Sequence, residues 1–335
     1  MNFSAFKSYF DERFSHLLDE KINSFVSYSD HRAVHGIAAY CKKIAADGKR
    51  FRPYMAYVGY QAYGGKDDIF PALAALELLH IFALVHDDIM DRAALRHGVA
   101  TIHTAYAQKY PHRVVGDGIA ILAGDLFFAW SYDLLQGMHP AEMIHTEFAT
   151  LISEVIHGQM MDVVFSAEEP QTLDAIEQKM ILKTAHYSFF RPLHIGALLA
   201  DDSDTDGEFI RGYATNLGLA FQVQDDLLDV LPSSQTGKSS FTDIKDAQQT
   251  VLSWYMFTRA ADADRAIFLD LYGKKTLTTS DEVTLSQALE DSGAIAYAEE
   301  KVASYLDAAS ALALVHRPGE QLWLDIIELV KSRRS

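Results

Sequence analysis

The chain has 335 residues, of which 49% are hydrophobic, so it can form a sizeable buried core and is not a disordered chain. It has 29 Lys and Arg against 46 Asp and Glu, and the formal net charge of −17 repels nucleic acid phosphates and anionic lipid headgroups. We therefore expect no nucleic acid partner, and an anionic substrate would need cations brought to its site.

The sequence also carries signals about compartment and membrane. Residues 1–30 mix charged and apolar side chains and lack the pattern of a signal peptide. No apolar run approaches the ~18–20 residues that span a bilayer. Cys41 is the only cysteine, which excludes an internal disulfide and is typical of a reducing compartment. We expect a cytoplasmic protein without a membrane span.

Along the chain, apolar residues recur with helical spacing, and no alternation of strands and helices is visible. Segments rich in Gly, Pro and Asp predict the loops between the helices. These loops are 63–65, 137–140, 167–172, 201–207, 232–237, 272–281 and 317–319. None has the composition of an interdomain linker, so we predict one all-α domain over residues 1–335.

The most informative predicted helix is Pro71–Asp91. Pro71 suits a first helical position, and the residues that follow are apolar nearly all round, which is typical of a helix inside a bundle. This helix ends in Asp87, Asp88 and Asp91, which would be costly at the end of a buried helix unless cations or water neutralise them.

The same Asp-Asp-x-x-Asp spacing recurs at Asp225, Asp226 and Asp229. Residues i and i+4 share a helix face while i+1 points aside, so two carboxylates of each cluster point together. Hard carboxylate oxygens suit Mg²⁺, which completes its octahedron with water and phosphate. One such cluster is weak evidence and would suit a solvated helix end, but two after apolar helical runs predict a paired metal site.

Polar and basic side chains accompany both clusters. His80 and Gln222 each lie seven residues before an aspartate of their cluster, on nearly the same face. In so acidic a chain, clustered cations suggest a phosphate clamp. They are Lys49, Arg50 and Arg52 before a helix, Arg92 and Arg96 after the first cluster, Lys183 in mid-chain, and Lys238 after the second cluster.

Together these residues resemble the trans-isoprenyl diphosphate synthases, the polyprenyl synthetase family, and its geranylgeranyl diphosphate synthases in particular. The resembling motifs are Gly48–Pro53, His86–Asp91, His157–Asp162, Lys183-Thr184 and Phe221–Asp229. The resemblance implies a single large helical bundle of the isoprenoid synthase type around a central cavity, with a homodimer as the working form.

The resemblance also implies roles for individual residues. Those that would hold isopentenyl diphosphate are Lys49, Arg52 and His80, with His97. Those that would hold the allylic diphosphate are Arg96, Lys183 and Lys238. The main ligands of about three Mg²⁺ ions would be Asp87, Asp91 and Asp225, with Asp88, Asp226 and Asp229 completing the metal clusters. Thr184 and Gln222 would turn their dipoles toward the allylic cation, and Gln159, Asp162 and Phe221 would line the substrate site.

Two positions depart from the family pattern. His97 stands where the family usually has a second arginine, and Gln248 stands where it usually has a lysine two residues before a threonine. Both changes remove fixed positive charge, because a histidine is mostly neutral at pH 7. We expect weaker binding of isopentenyl diphosphate, unless C-terminal cations such as Lys331, Arg333 and Arg334 close over the site.

The activity implied is Mg²⁺-dependent head-to-tail (1′-4) condensation of isopentenyl diphosphate with an allylic diphosphate. Phe82 lies five residues before Asp87, roughly 7.5 Å deeper along the helix. Geranylgeranyl-type family members usually have an aromatic residue here, so we favour a C20 product, with C15 second.

Three alternatives remain at this stage. A class I terpene cyclase shares the first aspartate motif but usually has Asn or Asp, Ser or Thr, and Glu in the second. A di-iron carboxylate bundle would use Glu-x-x-His pairs such as Glu77 and His80. A non-catalytic or regulatory subunit is suggested by the charges missing at His97 and Gln248.

Overall fold

The computed structural model describes residues 1–96, 98–110, 112–200, 206–231, 241–314 and 319–332. They form two compact units, one of residues 1–58 with 65–145 and the other of residues 59–64 with 146–335. The predicted all-α class is confirmed: over the described residues, the only strands are two of two residues each.

The helices of the first unit, with α3 running on into the second, are listed in chain order. They are α1 (Phe3–Val26), α2 (Arg32–Ala46), α3 (Phe51–Ala62), α4 (Phe70–Met90), α5 (Ile102–Lys109) and α6 (Arg113–Asp133). Helix α1 buries a stripe at fourfold spacing, Phe6, Phe10, Phe14 and Leu18, and thereby covers one side of the unit. Its aromatic rings pack on Tyr54 of α3 and Phe70 of α4.

Helix α4 matches the helix predicted over Pro71–Asp91. Its proline lies in the first turn, and Asp91 caps its C-terminus by donating its N–H to the carbonyl of Asp87 at 2.8 Å. Strands β1 (Leu95–Arg96) and β2 (Val99–Ala100) then form an antiparallel hairpin with Arg96 opposite Val99. This hairpin turns the chain back, and Arg96 reaches the end of α4.

The second unit begins inside α7 (Ala141–Phe165) and contains one long bent helix. That helix consists of α8 (Leu173–Met180), a π-helical segment (Ile181–Phe190) and α9 (Arg191–Ala200). The remaining helices are α10 (Gly207–Asp229), α11 (Thr242–Lys245), α12 (Val251–Thr258), α13 (Asp262–Leu271), α14 (Thr279–Asp291), α15 (Ala294–Ala313) and α16 (Glu320–Lys331). The π-helical segment, which sequence periodicity did not predict, carries Lys183 and Thr184.

By length and composition alone, two helices could cross a membrane: α4 and residues Val114–Asp133 of α6. This finding corrects the expectation that no apolar run reaches that length. Most of α4 is buried within its unit, as is usual for the core helix of a folded domain, whereas α6 leaves large apolar side chains exposed.

Candidate active site

The first carboxylate cluster lies at the C-terminal end of α4. Asp87 and Asp91 lie one helical turn apart; Asp87 is partly exposed and Asp91 is exposed. Asp88, the residue between them, is buried and points aside. The cluster thus has the geometry expected from helical spacing, with two accessible carboxylates on one face.

Asp88 forms an ion pair within the protein. Its Oδ1 accepts a hydrogen bond from Arg96 Nε at 2.9 Å and lies 2.7 Å from Arg96 Nη2. Burial raises the pKa of Asp88, while the Arg96 guanidinium opposes that rise. Arg96 Nη2 also lies 4.0 Å from Asp87 Oδ2. The structure therefore makes Asp88 the carboxylate that positions Arg96, and its role as a metal ligand stays a prediction.

The basic turn before α3 divides its cations between two roles. Arg50 is buried and donates to Glu77 Oε1 and Asp11 Oδ1, both at 2.7 Å, so it is a structural ion pair and not part of a three-cation phosphate clamp. Lys49 on the turn is exposed, and Arg52 in the first turn of α3 is half-buried. Because Glu77 is paired with Arg50, it is not available as an iron ligand, which argues against the di-iron alternative.

The second cluster lies in the last two turns of α10 and repeats the pattern of the first. Asp225 is exposed, Asp229 is half-buried and Asp226 is buried. Asp226 Oδ1 accepts a hydrogen bond from Gln222 Nε2 at 2.8 Å, and Gln222 Oε1 accepts one from Thr184 Oγ1 at 2.7 Å. Thr184, Gln222 and Asp226 are thus joined by consecutive hydrogen bonds, and the orientation of Thr184 and Gln222 toward an allylic cation stays a prediction.

Asp229 accepts hydrogen bonds from the backbone of residues 241–243, where the chain enters α11. Its Oδ1 accepts from Thr242 N–H at 3.0 Å, its Oδ2 from Asp243 N–H at 2.9 Å, and its carbonyl from Phe241 N–H at 2.7 Å. Phe241 has a φ of 60°, in the left-handed region. Asp229 thus caps the backbone of residues 241–243, and its role as a metal ligand stays a prediction.

Asp243, which the sequence analysis missed, completes a group of four carboxylates. Burial raises the pKa of Asp243 well above its ordinary value, and the charges of Asp226, Asp229 and Asp225 raise it further. Burial also raises the pKa of Asp226 to about 7, against the opposing Gln222 hydrogen bond and Lys179 charge. The available signal for Asp243 was its place 14 residues after Asp229, in a segment with turn composition.

Lys183 is positioned by a carboxylate shared with a second lysine. Asp162 Oδ2 accepts from Lys183 Nζ at 2.5 Å, and Asp162 Oδ1 accepts from Lys179 Nζ at 2.7 Å. Burial acts to raise the pKa of Asp162, but the two ammonium groups outweigh it and lower that pKa. Lys179 was also missed; its place four residues before Lys183, on the same helix face, was the signal.

Two glycines let neighbouring helices approach this lysine-bearing segment closely. A Cβ at Gly158 of α7 would lie 2.5 Å from the backbone nitrogen of Lys183, and one at Gly218 of α10 would lie 2.3 Å from the Cα of Ala185. Real Cβ atoms do not make contacts this short, so any larger residue would push these helices apart. The glycines hold Lys183 and Thr184 at fixed distances from α7 and α10.

The structure also places the other predicted residues. His80 of α4, Gln159 of α7 and Phe221 of α10 are half-buried. The ring of Phe221 makes an edge contact with Phe189, with centroids 5.4 Å apart. Phe82 lies 5.1 Å from the ring of Phe128 on α6. His97, Lys238, Arg333 and Arg334 lie outside the described residues, and Lys331 pairs with Glu328 of its own helix.

The accessible carboxylates fit a divalent cation by the chemistry of their oxygens. Within the described ranges, no three His, Cys, Asp or Glu side chains form a closed cage for an ion. Mg²⁺ is seldom bound by an all-protein cage, since it keeps water and takes substrate phosphate as ligands. Burial, and then the neighbouring carboxylates, raise the pKa values of Asp226 and Asp243, and a cation bound nearby would favour their charged forms.

The all-α fold and paired carboxylate clusters define the class of isoprenoid synthases. The structure superposes on the geranylgeranyl pyrophosphate synthase of Corynebacterium glutamicum complexed with isoprenyl diphosphate and magnesium, with a TM-score of 0.90, 25% identity and 100% of both chains covered. A polyprenyl synthase from Caulobacter crescentus, complexed with calcium and isoprenyl diphosphate, shares the fold at a TM-score of 0.77 and 24% identity, over 97% and 98% of the two chains.

Sequence comparison gives the family. Residues 34–291 match the Polyprenyl synthetase family, and the chain belongs to it. It is 33% identical over 294 residues to a geranylgeranyl diphosphate synthase of Sulfolobus acidocaldarius, covering 84% of each chain. It is 31% identical over 275 residues to a short chain isoprenyl diphosphate synthase of Methanocaldococcus jannaschii, covering 80% of this chain and 79% of the relative. The chain is therefore a prenyltransferase, an isoprenyl diphosphate synthase, as the resemblance predicted.

Proposed function

We propose that this enzyme joins isopentenyl diphosphate to an allylic diphosphate head to tail, with release of diphosphate, and that its main product is C20 with C15 second. The proposal rests on one observation above all. An acidic cluster around Asp225 shares its unit with Lys183, whose ammonium is fixed by Asp162 and remains about one-third exposed. Fixed carboxylates for cations beside a fixed ammonium suit a diphosphate leaving group.

The reaction depends on Mg²⁺ in this proposal. Asp87, Asp91 and Asp225 would hold about three ions, because their carboxylates are the accessible ones of the two clusters. Bound there, the ions would supply neutralisation of the leaving diphosphate and so favour ionisation of the allylic C–O bond. Asp88 and Asp226 have a positioning role: Asp88 orients Arg96 through an ion pair, and Asp226 orients Gln222 through a hydrogen bond.

The chain's cations divide between the two diphosphates. Lys183 and Arg96 would bind the allylic diphosphate, and each is held by a carboxylate, Asp162 and Asp88 respectively. Lys49, Arg52 and His80 would bind isopentenyl diphosphate, with His97. After ionisation, the double bond of isopentenyl diphosphate attacks the allylic cation, a proton is lost to the released diphosphate, and no side-chain nucleophile is required.

Product length is assigned to the aromatic side chains below Asp87. Phe82 lies five residues below that carboxylate, and its ring contacts Phe128 with centroids 5.1 Å apart and His86 at 4.6 Å. Two rings in contact form a rigid obstacle to a growing chain, since packed aromatic side chains do not yield easily. This geometry supports a product that stops at C20.

We also propose that the working form is a cytoplasmic homodimer. Helix α6 exposes Val114 by 82%, Ile121 by 45% and Leu122 by 69%, and α7 exposes Met160 by 64% and Val163 by 48%. Runs of large apolar side chains on a helix surface are typical of protein contact surfaces. A second copy of the chain would bury them.

One assay tests the activity. Radiolabelled isopentenyl diphosphate is incubated with the purified chain, Mg²⁺ and C5, C10 or C15 allylic primers, and the products are separated by chromatography. We expect C20 as the main product and its loss when Mg²⁺ is chelated. Asp87→Ala and Asp225→Ala should each lower turnover by at least about a hundredfold while leaving the melting temperature nearly unchanged. Turnover near the wild-type rate in either variant would refute the metal assignment, and no turnover by the wild-type chain alone would favour a non-catalytic subunit.

A further inference from the structure

Lys179 is a buried lysine in the second unit. It lies on α8, only 6% of its surface is exposed, and its Nζ donates to Asp162 Oδ1 at 2.7 Å and to the carbonyl of Gln249 at 2.8 Å. A lysine is almost never fully buried unless it is paired, because removing its charge from water is costly. A buried, charged lysine at this position therefore suggests that its ammonium has a role in the site.

One use is geometric and acts through Asp162. The carboxylate has two oxygens, and each accepts one ammonium: Oδ1 takes Lys179 and Oδ2 takes Lys183. Lys179 is enclosed, whereas the Lys183 side chain is one-third exposed and able to meet a ligand. Fixing one oxygen from inside sets the plane of the carboxylate and therefore the place where Lys183 presents its ammonium.

The other use is electrostatic and concerns Gln248. The side-chain Oε1 of Gln248 is buried and has no hydrogen-bond partner in the described part of the chain. The backbone carbonyl of the next residue, Gln249, is the one that holds Lys179. The buried ammonium therefore lies beside the backbone that follows Gln248.

We propose that Lys179 is a positioning residue that orients Lys183, through Asp162, toward the leaving diphosphate and supplies positive charge to the site from beside Gln248. This inference rests on the proposed function.

The surrounding carboxylates support the electrostatic part. The charges of Lys179 and Lys183 lower the pKa of Asp162 against the opposing effect of burial. Removal of Lys179 would leave Asp162 with Lys183 as its remaining ammonium partner among the hydrogen bonds described above.

The test compares matched substitutions. Lys179→Met keeps the apolar stem and removes the charge, and Lys301→Met is the control, because Lys301 also pairs with a residue of α8, Glu177 at 2.8 Å, away from Asp162. For each variant the KM for the allylic diphosphate, kcat, and the Kd of inorganic pyrophosphate with Mg²⁺ by calorimetry are measured. We expect Lys179→Met to weaken pyrophosphate by about tenfold and to raise that KM, while Lys301→Met stays within about twofold of wild type.

The decisive variant is the charge swap. Lys179→Met combined with Gln248→Lys should recover pyrophosphate affinity to within about threefold of wild type. Equal affinities for Lys179→Met and Lys301→Met, or failure of the swap to recover binding in a folded protein, would overturn the proposal.

A further variant covers the case in which Lys179→Met does not fold. Gln248→Lys alone should improve pyrophosphate affinity by less than about twofold, because Lys179 already supplies the charge. A gain of tenfold or more would show that Lys179 does not supply this charge in the wild-type protein, and would overturn the proposal. If the wild-type chain fails to condense the two substrates, the proposed function fails, whereas the pyrophosphate measurements still decide the role of Lys179.

Discussion

At the scale of single residues, similar aspartates have different surroundings. Asp87, Asp91 and Asp225 have accessible carboxylates, whereas Asp88 is paired with Arg96 and Asp226 is bound by Gln222. Helical spacing explains the difference, because residue i+1 points about 100° away from residue i. The first cluster therefore has two accessible carboxylates and one internal carboxylate that positions a neighbour, whereas in the second cluster Asp225 is accessible and Asp229 accepts backbone hydrogen bonds.

Asp229 provides a test of this division. Asp229→Asn keeps one acceptor oxygen for the N–H groups of Thr242 and Asp243, so we expect turnover within about tenfold of wild type and a loss of about 1 kcal/mol in the free energy of unfolding. Asp225→Asn, its matched control, should lose at least about a hundredfold in kcat with little change in stability. The measurements are kcat at saturating Mg²⁺ and thermal melting. Equal losses of kcat in both variants would show that Asp229 is as important a metal ligand as Asp225.

Phe82 and Phe128 provide a second test at this scale. Phe82→Ala removes the first ring below Asp87, and we expect some products longer than C20; Phe82→Ala with Phe128→Ala removes both rings and should shift the main product further. Phe82→Leu is the control, because it keeps most of the volume. Chromatography of the products measures the change. An unaltered product distribution in the double variant would exclude these rings as the floor of the product site.

At the scale of helices, close packing fixes the lysine-bearing segment. The π-helical segment meets α7 at Gly158 and α10 at Gly218, where there is no room for a Cβ. Further along the same bent helix, Arg191 donates to Glu147 Oε2 and Glu154 Oε1, both at 2.6 Å, and so ties α9 to α7. The segment that carries Lys183 is thus held by glycine contacts beside the site and by ion pairs farther along.

Gly158 tests the packing. Gly158→Ala places a Cβ against the backbone of Lys183, so we expect a loss of about 2–3 kcal/mol in the free energy of unfolding, together with weaker pyrophosphate binding. Gly118→Ala on α6 is the control: its Cβ would meet nothing within 4 Å, and a helical alanine should be neutral or stabilise by up to about 1 kcal/mol. Chemical denaturation measures both. A Gly158→Ala protein as stable as wild type would mean that α7 moves aside freely.

The Arg191 ion pairs predict a pH dependence of stability. Burial acts to raise the pKa of Glu154, but hydrogen bonds and charge from Arg191 and His186 outweigh it and lower that pKa to about 2. Because the folded-state pKa is depressed, this carboxylate stabilises the protein above its unfolded pKa of about 4.3, and the contribution is lost as pH falls toward 2. Glu154→Gln should lower the free energy of unfolding by ~2 kcal/mol at pH 7. The variant should then lose less stability than the wild-type protein between pH 5 and 3. Identical pH profiles of the melting temperature would contradict this assignment.

At the scale of the whole molecule, charge and apolar surface have separate roles. A net charge of −17 keeps the chain soluble and repels anionic substrates, so the fixed cations and bound divalent ions have to act locally. The exposed apolar residues of α6 and α7 lie on helix surfaces and are suited to association.

The homodimer proposal is tested on α6. Leu122, which is 69% exposed, changed to Glu should convert a dimer of about twice 37.4 kDa into monomers without lowering the melting temperature of the isolated chain by more than about 3 °C. Leu269→Glu, at a similarly exposed leucine on α13, is the control and should remain dimeric. Light scattering during size-exclusion chromatography gives the masses. A wild-type protein that elutes as a monomer at micromolar concentration would exclude this interface.

By itself, the sequence determined the all-α class, the helix ending at the first cluster, and the shared face of Asp87 and Asp91 on that helix. All of these follow from local periodicity and the spacing of residues on one helix. The tertiary structure decided which charges are used internally. Arg50 looked like a phosphate ligand and proved to be a buried partner of Glu77, and Lys179 and Asp243 gained their importance only from neighbours distant in the chain. Sequence spacing orders side chains along one helix, whereas burial and ion pairing depend on which other helices pack against it.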